Sequence, residues 1–307
     1  MRLLAGTNVR GNDASQGQAL ETSGHAPCFG IAGLQLAYGP GDNLARIAAE
    51  VGAVARRFPW VRMVLLGELC GFGANPDHAQ CLPGQAEDFL CDLARRHDLW
   101  LVPGSLYERS EDLVYNTTPV INPSGKVIAR YRKLYPFAPY ERNVAAGEDF
   151  VVFDVPDAGR FGISICYDMW FPETTRSLIS LGAEVILHPT MTNTIDRDVE
   201  IAIARASAAT NQCYFVDVNV AGDLGIGQSV ICGPGGEVIH QAGVGREVMA
   251  FEVDFAYLRR CRERGWHGLG QPLKSFRDHP VVFPAYAAAR APSAALNALG
   301  SLQLPDA

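Results

Sequence analysis

The chain has 307 residues, of which 48% are hydrophobic and 19% are charged. This composition is typical of a globular protein and too apolar for a disordered chain. Lys and Arg number 26 against 33 Asp and Glu, and this net charge of −7, without a basic stripe, argues against a nucleic-acid partner.

Strands and helices alternate through most of the chain, which predicts an α/β fold. Apolar runs bounded by turn residues predict strands, whereas amphipathic runs with capping residues predict helices. The predicted helices cover residues 43–57, 86–97, 172–182 and 197–211. The predicted strands cover residues 29–37, 61–67, 100–105, 113–122, 126–131, 150–155, 161–165, 184–188, 214–220, 228–232, 238–240 and 248–253.

The pattern divides the chain into three parts. Residues 1–26 are rich in Gly, Asn, Ser and Gln, and we interpret them as a loose N-terminal arm. Residues 27–265 show neither an internal repeat nor a linker and are predicted to form one domain. Residues 266–307 form a C-terminal extension that is Ala- and Leu-rich near its end, where we expect packing on a neighbouring subunit or partial mobility.

The cysteines and the apolar segments bear on the compartment. Eight cysteines are scattered without a Cys-x-x-Cys pair, which favours free thiols in a reducing compartment. The first residues lack the apolar stretch of a secretory signal, and no run of about 18 apolar residues is present to span a bilayer. The sequence therefore predicts a soluble cytoplasmic protein without a membrane partner.

The most informative segment is FGISICYDMWFPE, an apolar strand that ends on Cys166 and turns into a helix. Backbone amides at such a turn, together with the positive end of the helix, can stabilise a thiolate or an oxyanion. Alone, the pattern fits a small core residue better than a nucleophile. Likewise, Glu68 alone fits a solvated strand end and Lys133 alone an ordinary surface lysine.

Three segments taken together resemble the nitrilase superfamily of carbon-nitrogen hydrolases. They are VLLGELCGF around Glu68, YRKLY around Lys133 and the segment around Cys166, in the order and spacing of that family. The resemblance extends from the first strand to about Asp254. It implies a four-layer α-β-β-α sandwich, a Glu-Lys-Cys catalytic group and assembly into homodimers or larger homo-oligomers.

The chemistry implied by this resemblance is hydrolysis of a small amide or N-carbamoyl compound. Glu68 would take the proton of Cys166, while Lys133 and the backbone amide of Tyr167 would stabilise the oxyanion. Glu141, eight residues after Lys133, matches a second glutamate that many amidases of the family carry, and would orient the lysine. No cofactor is implied, and dispersed histidines without metal-ligand spacing predict no metal.

Two alternatives remain open from the sequence. Nitrile-hydrolysing members typically carry Cys-Trp-Glu at the nucleophile, whereas this chain has Cys166-Tyr167-Asp168, which favours amides over nitriles. The second alternative is a non-catalytic scaffold on the same fold, because fold does not determine function.

Further residues are candidates for the wall of the substrate pocket. His188 follows the strand of residues 184–188 at a position where the family's pocket wall lies, although a histidine bonded to backbone fits equally well. Tyr140 and Trp170 are pocket candidates by position, although large aromatic residues are more often core.

Overall fold

The computed structural model describes residues 28–283 and 293–302. The predicted N-terminal arm lies outside these residues. The strands are β1 Cys28–Gln35, β2 Val61–Leu66, β3 Gln80–Cys81, β4 Trp100–Val102, β5 Leu106–Ser110, β6 Leu113–Ile121, β7 Val127–Arg132, β8 Val151–Val155, β9 Gly159–Ile163, β10 Val185–Thr190, β11 Tyr214–Asn219, β12 Val230–Cys232, β13 Val238–Gln241 and β14 Glu247–Asp254. The helices are α1 Leu44–Arg57, α2 Gln85–His97, α3 Pro172–Ser180, α4 Arg197–Asn211, α5 Phe255–Arg264, α6 Pro272–Asp278 and α7 Ala294–Asn297.

The strands form two sheets. The first runs in the order β14-β1-β2-β4-β6-β5-β3, with β7 paired to β6, and the second runs in the order β13-β12-β11-β10-β9-β8. The centres of both sheets are parallel: β1 pairs with β2 and β2 with β4 in the first, and β9 pairs with β10 and β10 with β11 in the second. Parallel strands end at the same edge of their own sheet. Strand β2 contacts β10, the neighbour of β9, across the two sheets, so residues that follow β2 and β9 can meet at this edge.

Three apolar clusters separate four layers. The inner cluster joins the two sheets through side chains such as Met63 and Leu187. A second cluster packs α1 and α2 on the outer face of the first sheet, and a third packs α3 and α4 on the second. Helix α1 shows why: Ile47, Val51 and Val54 recur on one face, which is buried. The result is the predicted α-β-β-α sandwich.

Some elements differ from the sequence predictions. The strand predicted over residues 100–105 ends at Val102, and β5 follows it as a separate strand that was not predicted. Gly104 explains the break, because its φ is +72° and a Cβ there would lie 1.8 Å from the Gly67 carbonyl oxygen. This close approach fixes the backbone immediately before Glu68.

The chain beyond β14 contains helices that the sequence analysis did not predict. Asp254 caps α5 by accepting a hydrogen bond from the Tyr257 N–H at 2.7 Å. Helix α6 packs against α4, and Leu273 joins the apolar cluster of that helix layer. Helix α6 of the C-terminal extension therefore returns to the body of the molecule.

No helix within residues 28–283 and 293–302 is long and apolar enough to cross a membrane. All eight cysteines lie within these residues and are free thiols.

Candidate active site

Glu68 lies two residues beyond the end of β2, where the two sheets meet. Its N–H donates to the Thr190 carbonyl at the end of β10, 3.2 Å away, which ties one sheet to the other. Its side chain is 3% exposed. Burial of a carboxylate to this extent requires a charged or hydrogen-bonded partner.

Lys133 follows β7 directly and is 1% exposed. Its N–H donates to the Asn116 carbonyl on β6 at 2.8 Å, so pairing with that strand extends past the end of β7. Lysine is rarely buried unless it is paired. Here the pairing is double: Nζ lies 2.8 Å from Glu68 Oε1 and 2.7 Å from Glu141 Oε2.

Cys166 begins a short 3₁₀ turn, Cys166–Trp170, that follows β9. Its φ of +46° is unusual for a residue with a side chain, and such strain is characteristic of functional sites. The turn is held by Asp168, whose carboxylate accepts hydrogen bonds from the Ile165 N–H at 2.8 Å and the Tyr131 hydroxyl at 2.6 Å. Asp168 also accepts from the Tyr135 N–H at 2.9 Å, and thereby joins the cysteine turn to the lysine segment.

Asn116 completes the polar group and was not predicted from the sequence. Its Nδ2 donates to Glu68 Oε1 and to Glu141 Oε1, at 2.8 Å in each case. The Phe137 N–H donates to Glu141 Oε2 at 2.7 Å, which fixes the second carboxylate. A sequence signal existed, because asparagine is depleted in strands and Asn116 interrupts an otherwise β-favouring run.

The electrostatics of the group differ between the two glutamates. Burial raises the pKa of Glu68, and Lys133 only partly opposes the rise. Burial also disfavours the charged form of Glu141, but Lys133 and the Phe137 and Asn116 hydrogen bonds outweigh it and lower the pKa of Glu141. Glu141 is therefore suited to remain charged, whereas Glu68 is suited to exchange a proton.

The lysine and the thiol titrate far from neutrality. Burial disfavours charged Lys133, yet the neighbouring Glu68 and Glu141 raise its pKa well above the usual value. Burial, followed by the charge of Glu68, raises the pKa of Cys166 well above that of a free thiol. The resting group thus contains a permanent ammonium and a protonated thiol, so formation of a thiolate requires proton transfer to a base.

Two adjoining cavities open on Cys166. One, of about 230 Å³, is lined by the predicted catalytic residues Glu68, Lys133, Glu141 and Cys166. The other, of about 300 Å³, is lined by the predicted pocket residues Tyr140, Tyr167 and Trp170 and again by Cys166. The structure therefore brings seven of the eight predicted site residues around one opening.

His188 is the exception. It is fully buried, its Nδ1 lies 2.7 Å from Ser164 Oγ, and it does not line either cavity. Its ring packs against Phe215 at 5.2 Å between centroids. Burial lowers the pKa of His188 to about 4, so the ring is neutral near pH 7. The expectation of a pocket-wall position is corrected here: side chains alternate along β10, and this one faces the helix layer.

A larger cavity, of about 550 Å³, lies at strands β5 to β7 without Cys166 in its wall. Two of its lining residues, Arg130 and Arg132, are already paired with Glu87 and Glu108 at 2.6 Å and 2.7 Å. None of its described lining residues is a cysteine, so the cavities at Cys166 are the better site for thiol chemistry. Within the described ranges, no group of three or more His, Cys, Asp or Glu side chains could hold a metal ion.

The two-sheet sandwich with helices on both outer faces is the fold of a solved member of the nitrilase superfamily. The family model for carbon-nitrogen hydrolases matches residues 30–263, and the chain belongs to that family.

Individual relatives and solved structures of amidases and of the nitrilase superfamily are also similar to this chain. The chain is 27% identical over 250 residues to omega-amidase NIT2 of Homo sapiens, and the aligned region covers 75% of this chain and 90% of the relative. It is 32% identical over 194 residues to deaminated glutathione amidase of Dictyostelium discoideum, 56% of this chain and 66% of the relative. Nit3 of Saccharomyces cerevisiae, a member of branch 10 of the superfamily, superposes with a TM-score of 0.72 at 27% identity, covering 77% of this chain and 94% of that one. An amidase from Nesterenkonia sp. superposes with a TM-score of 0.68 at 25% identity, and the match covers 76% of this chain and 94% of that one.

Proposed function

We propose that this protein hydrolyses the carbon-nitrogen bond of a small amide or N-carbamoyl compound through a thioester on Cys166. The observation that carries the proposal is the position of Lys133, held between Glu68 and Glu141 in the wall of a cavity that Cys166 shares. The names of the omega-amidase and glutathione-amidase relatives favour an amide.

The first half of the reaction forms the thioester. Glu68 accepts the thiol proton as Cys166 Sγ bonds to the carbonyl carbon. The oxyanion receives hydrogen bonds from Lys133 and from the Tyr167 N–H. As the tetrahedral intermediate collapses, the carbon-nitrogen bond breaks, and Glu68 returns its proton to the nitrogen, which leaves as ammonia or an amine.

The second half releases the acid. Glu68 accepts a proton from water as the water oxygen bonds to the thioester carbon. Collapse of this intermediate breaks the carbon-sulfur bond, and the proton on Glu68 returns to the Cys166 sulfur. Glu141 stays charged throughout and positions Lys133, consistent with the lowered pKa of Glu141.

The test compares two cysteine variants with the wild-type protein. Cys166→Ala should abolish ammonia release from a panel of small amides while the circular-dichroism spectrum and melting temperature stay near wild type. Cys81→Ser is the matched control, because Cys81 is exposed and does not line either cavity at Cys166. With hydroxylamine present, the wild-type protein should convert the acyl group to a hydroxamate, which reports the thioester. Near wild-type turnover by Cys166→Ala would exclude this mechanism.

The same panel separates the alternatives. Turnover of nitriles but not of amides would identify a nitrilase that uses the same residues. A Cys166 that fails to react with a small alkylating reagent at neutral pH, with no turnover of either class, would favour a non-catalytic scaffold. The cytoplasmic location and the homo-oligomer remain predictions, and analytical ultracentrifugation measures the latter.

A further inference from the structure

The cavity of about 300 Å³ beside Cys166 combines aromatic and acidic walls. Its aromatic lining residues are Phe137, Tyr140, Tyr167 and Trp170. Its acidic lining residues are Asp196 and Glu200, and none of the residues that line it in the described chain is basic. This composition differs from that of the adjoining cavity, where Lys133 is present.

Of the two acidic residues of this cavity, Glu200 is linked to Cys166 through one side chain. It lies in the first turn of α4 and is 3% exposed. Thr192 connects it to the nucleophile: Thr192 Oγ1 donates to Glu200 Oε1 at 3.0 Å and lies 3.9 Å from Cys166 Sγ. One threonine side chain therefore separates the carboxylate from the sulfur.

The charge of Glu200 is incompletely neutralised by the protein. Arg197 donates to Glu200 Oε2 at 3.1 Å, but the same guanidinium donates to Asp217 at 2.6 Å and to the Gln228 carbonyl at 2.9 Å. One cation thus serves two buried carboxylates, and burial raises the pKa of Glu200 although Arg197 opposes the rise. Asp196, half-buried at the same cavity, adds a further carboxyl group. A buried carboxyl group is costly to ionise unless a counter-charge lies near it.

The proposed reaction determines which part of a substrate meets these walls. The scissile carbonyl must lie between Cys166 and Lys133, so the rest of the molecule extends from Cys166 into the second cavity. On this basis, which rests on the proposed function, we propose that the substrate is a small amide or N-carbamoyl compound whose non-reacting end carries an ammonium or guanidinium group held by Glu200 and the aromatic wall.

Two physical effects favour that class. A cation within reach of Glu200 favours the ionised carboxylate and pairs with it in a partly desolvated site, where opposite charges attract more strongly than in water. Aromatic faces such as those of Tyr167 and Trp170 also attract ammonium and guanidinium groups. A substrate with a carboxylate at the same end would meet like charge at both Asp196 and Glu200, which selects against it.

Three amides with the same three-methylene spacer provide the test. They are γ-aminobutyramide, which ends in an ammonium, pentanamide, which ends in a methyl, and the monoamide of glutaric acid, which ends in a carboxylate. For the wild-type protein, kcat/KM should be about tenfold or more higher for the ammonium than for the methyl compound, a factor that corresponds to about 1.4 kcal/mol. The carboxylate compound should be the poorest substrate.

Variants then show which residues cause the preference for the ammonium compound. Glu200→Gln should lower the ammonium-to-methyl ratio of kcat/KM about tenfold while the methyl compound is still hydrolysed. Asp198→Asn removes one charge from the same turn of α4 at an exposed position outside the cavity, and should leave the ratio unchanged. Asp196→Asn changes a residue without a described ion pair and should lower the ammonium-to-methyl ratio less than Glu200→Gln does. This variant keeps the test possible if Glu200→Gln does not fold.

Failure of this inference differs from failure of the proposed function. Hydrolysis of the methyl or carboxylate compound at or above the rate of the ammonium compound overturns the inference and leaves the amidase proposal standing. An ammonium preference that Glu200→Gln and Asp196→Asn do not change also overturns it. Absence of hydrolysis and of hydroxamate for all three amides refutes the amidase proposal together with the inference.

Discussion

Replacing Lys133 with methionine tests whether the ammonium both stabilises the fold and promotes the reaction. Methionine keeps an unbranched side chain of similar length and removes the ammonium, with its charge and its N–H donors. The wild-type ammonium makes hydrogen bonds of 2.8 Å and 2.7 Å to two buried carboxylates, Glu68 and Glu141. Removing one partner of a buried ion pair typically costs about 3 to 5 kcal/mol, so urea unfolding should show a loss of that order. Loss of an oxyanion donor should lower kcat on the order of a hundredfold or more.

The same variant should change the pH dependence of stability. Without Lys133, the two carboxylates bridged by Asn116 repel each other, and the pKa of the pair in the folded state rises above its unfolded value. The native state then binds more protons than the unfolded state, so the free energy of unfolding should increase as the pH is lowered through the raised pKa. Urea unfolding from pH 8 to pH 5 measures this slope, which should be weaker in the wild-type protein.

A double variant separates folding from catalysis. Adding Glu141→Gln to Lys133→Met removes the repulsion and should recover about 1 kcal/mol or more of stability without restoring kcat. A loss of less than about 1 kcal/mol in the single variant would refute the argument from buried charge. An unchanged kcat with a raised KM would instead make Lys133 a substrate-binding residue.

Two further predictions concern residues that position the site. Gly104→Ala should destabilise the protein by about 2 kcal/mol or more in urea unfolding and should also lower kcat. The reason is that the new methyl group would displace the Gly67 backbone that precedes Glu68. An unchanged melting temperature would contradict the close approach of Gly104 to Gly67. Burial raises the pKa of Asp168 to about 6 in the folded state, above its usual value of 3.8, so its contribution to stability is largest at low pH and is lost as the pH rises through about 6. Asp168→Asn should remove this slope between pH 4 and pH 7, and the argument fails if the variant keeps it.

Candidate site residues could be predicted where a local sequence pattern marks them. Cys166 and Glu68 each follow a buried apolar strand, and such a strand is visible from composition alone. Lys133 follows a strand with a less regular pattern, and its role was indicated by resemblance to a family. The role of Asn116 was not predicted. The sequence of a strand indicates which face of the sheet each side chain lies on, but not which residues of other segments it contacts there.

Secondary structure was missed where local signals were weak or interrupted. The segment of α5 is rich in charge, although Phe255, Leu258 and Cys261 recur on its buried face and Asp254 is a capping residue. Its few apolar positions and its place after a strong strand obscured the helix. Strand β5 was missed because its segment LYERS has only two apolar residues. The left-handed backbone of Gly104, which lies close to Gly67, separates it from β4.

The sequence by itself determined the alternation of strands and helices through most of the chain, the apolar faces of the predicted elements and the chain positions of the glutamate, lysine and cysteine, whereas the four layers were implied by resemblance to a family. Those properties follow from periodicity and residue type, which act over a few residues. Only the tertiary structure decided that His188 faces away from the cavities and that Glu200, at a position that equally suits a helix terminus, is linked to Cys166 through Thr192. Such relations depend on how two sheets and a helix pack across long separations in sequence, which no local pattern encodes.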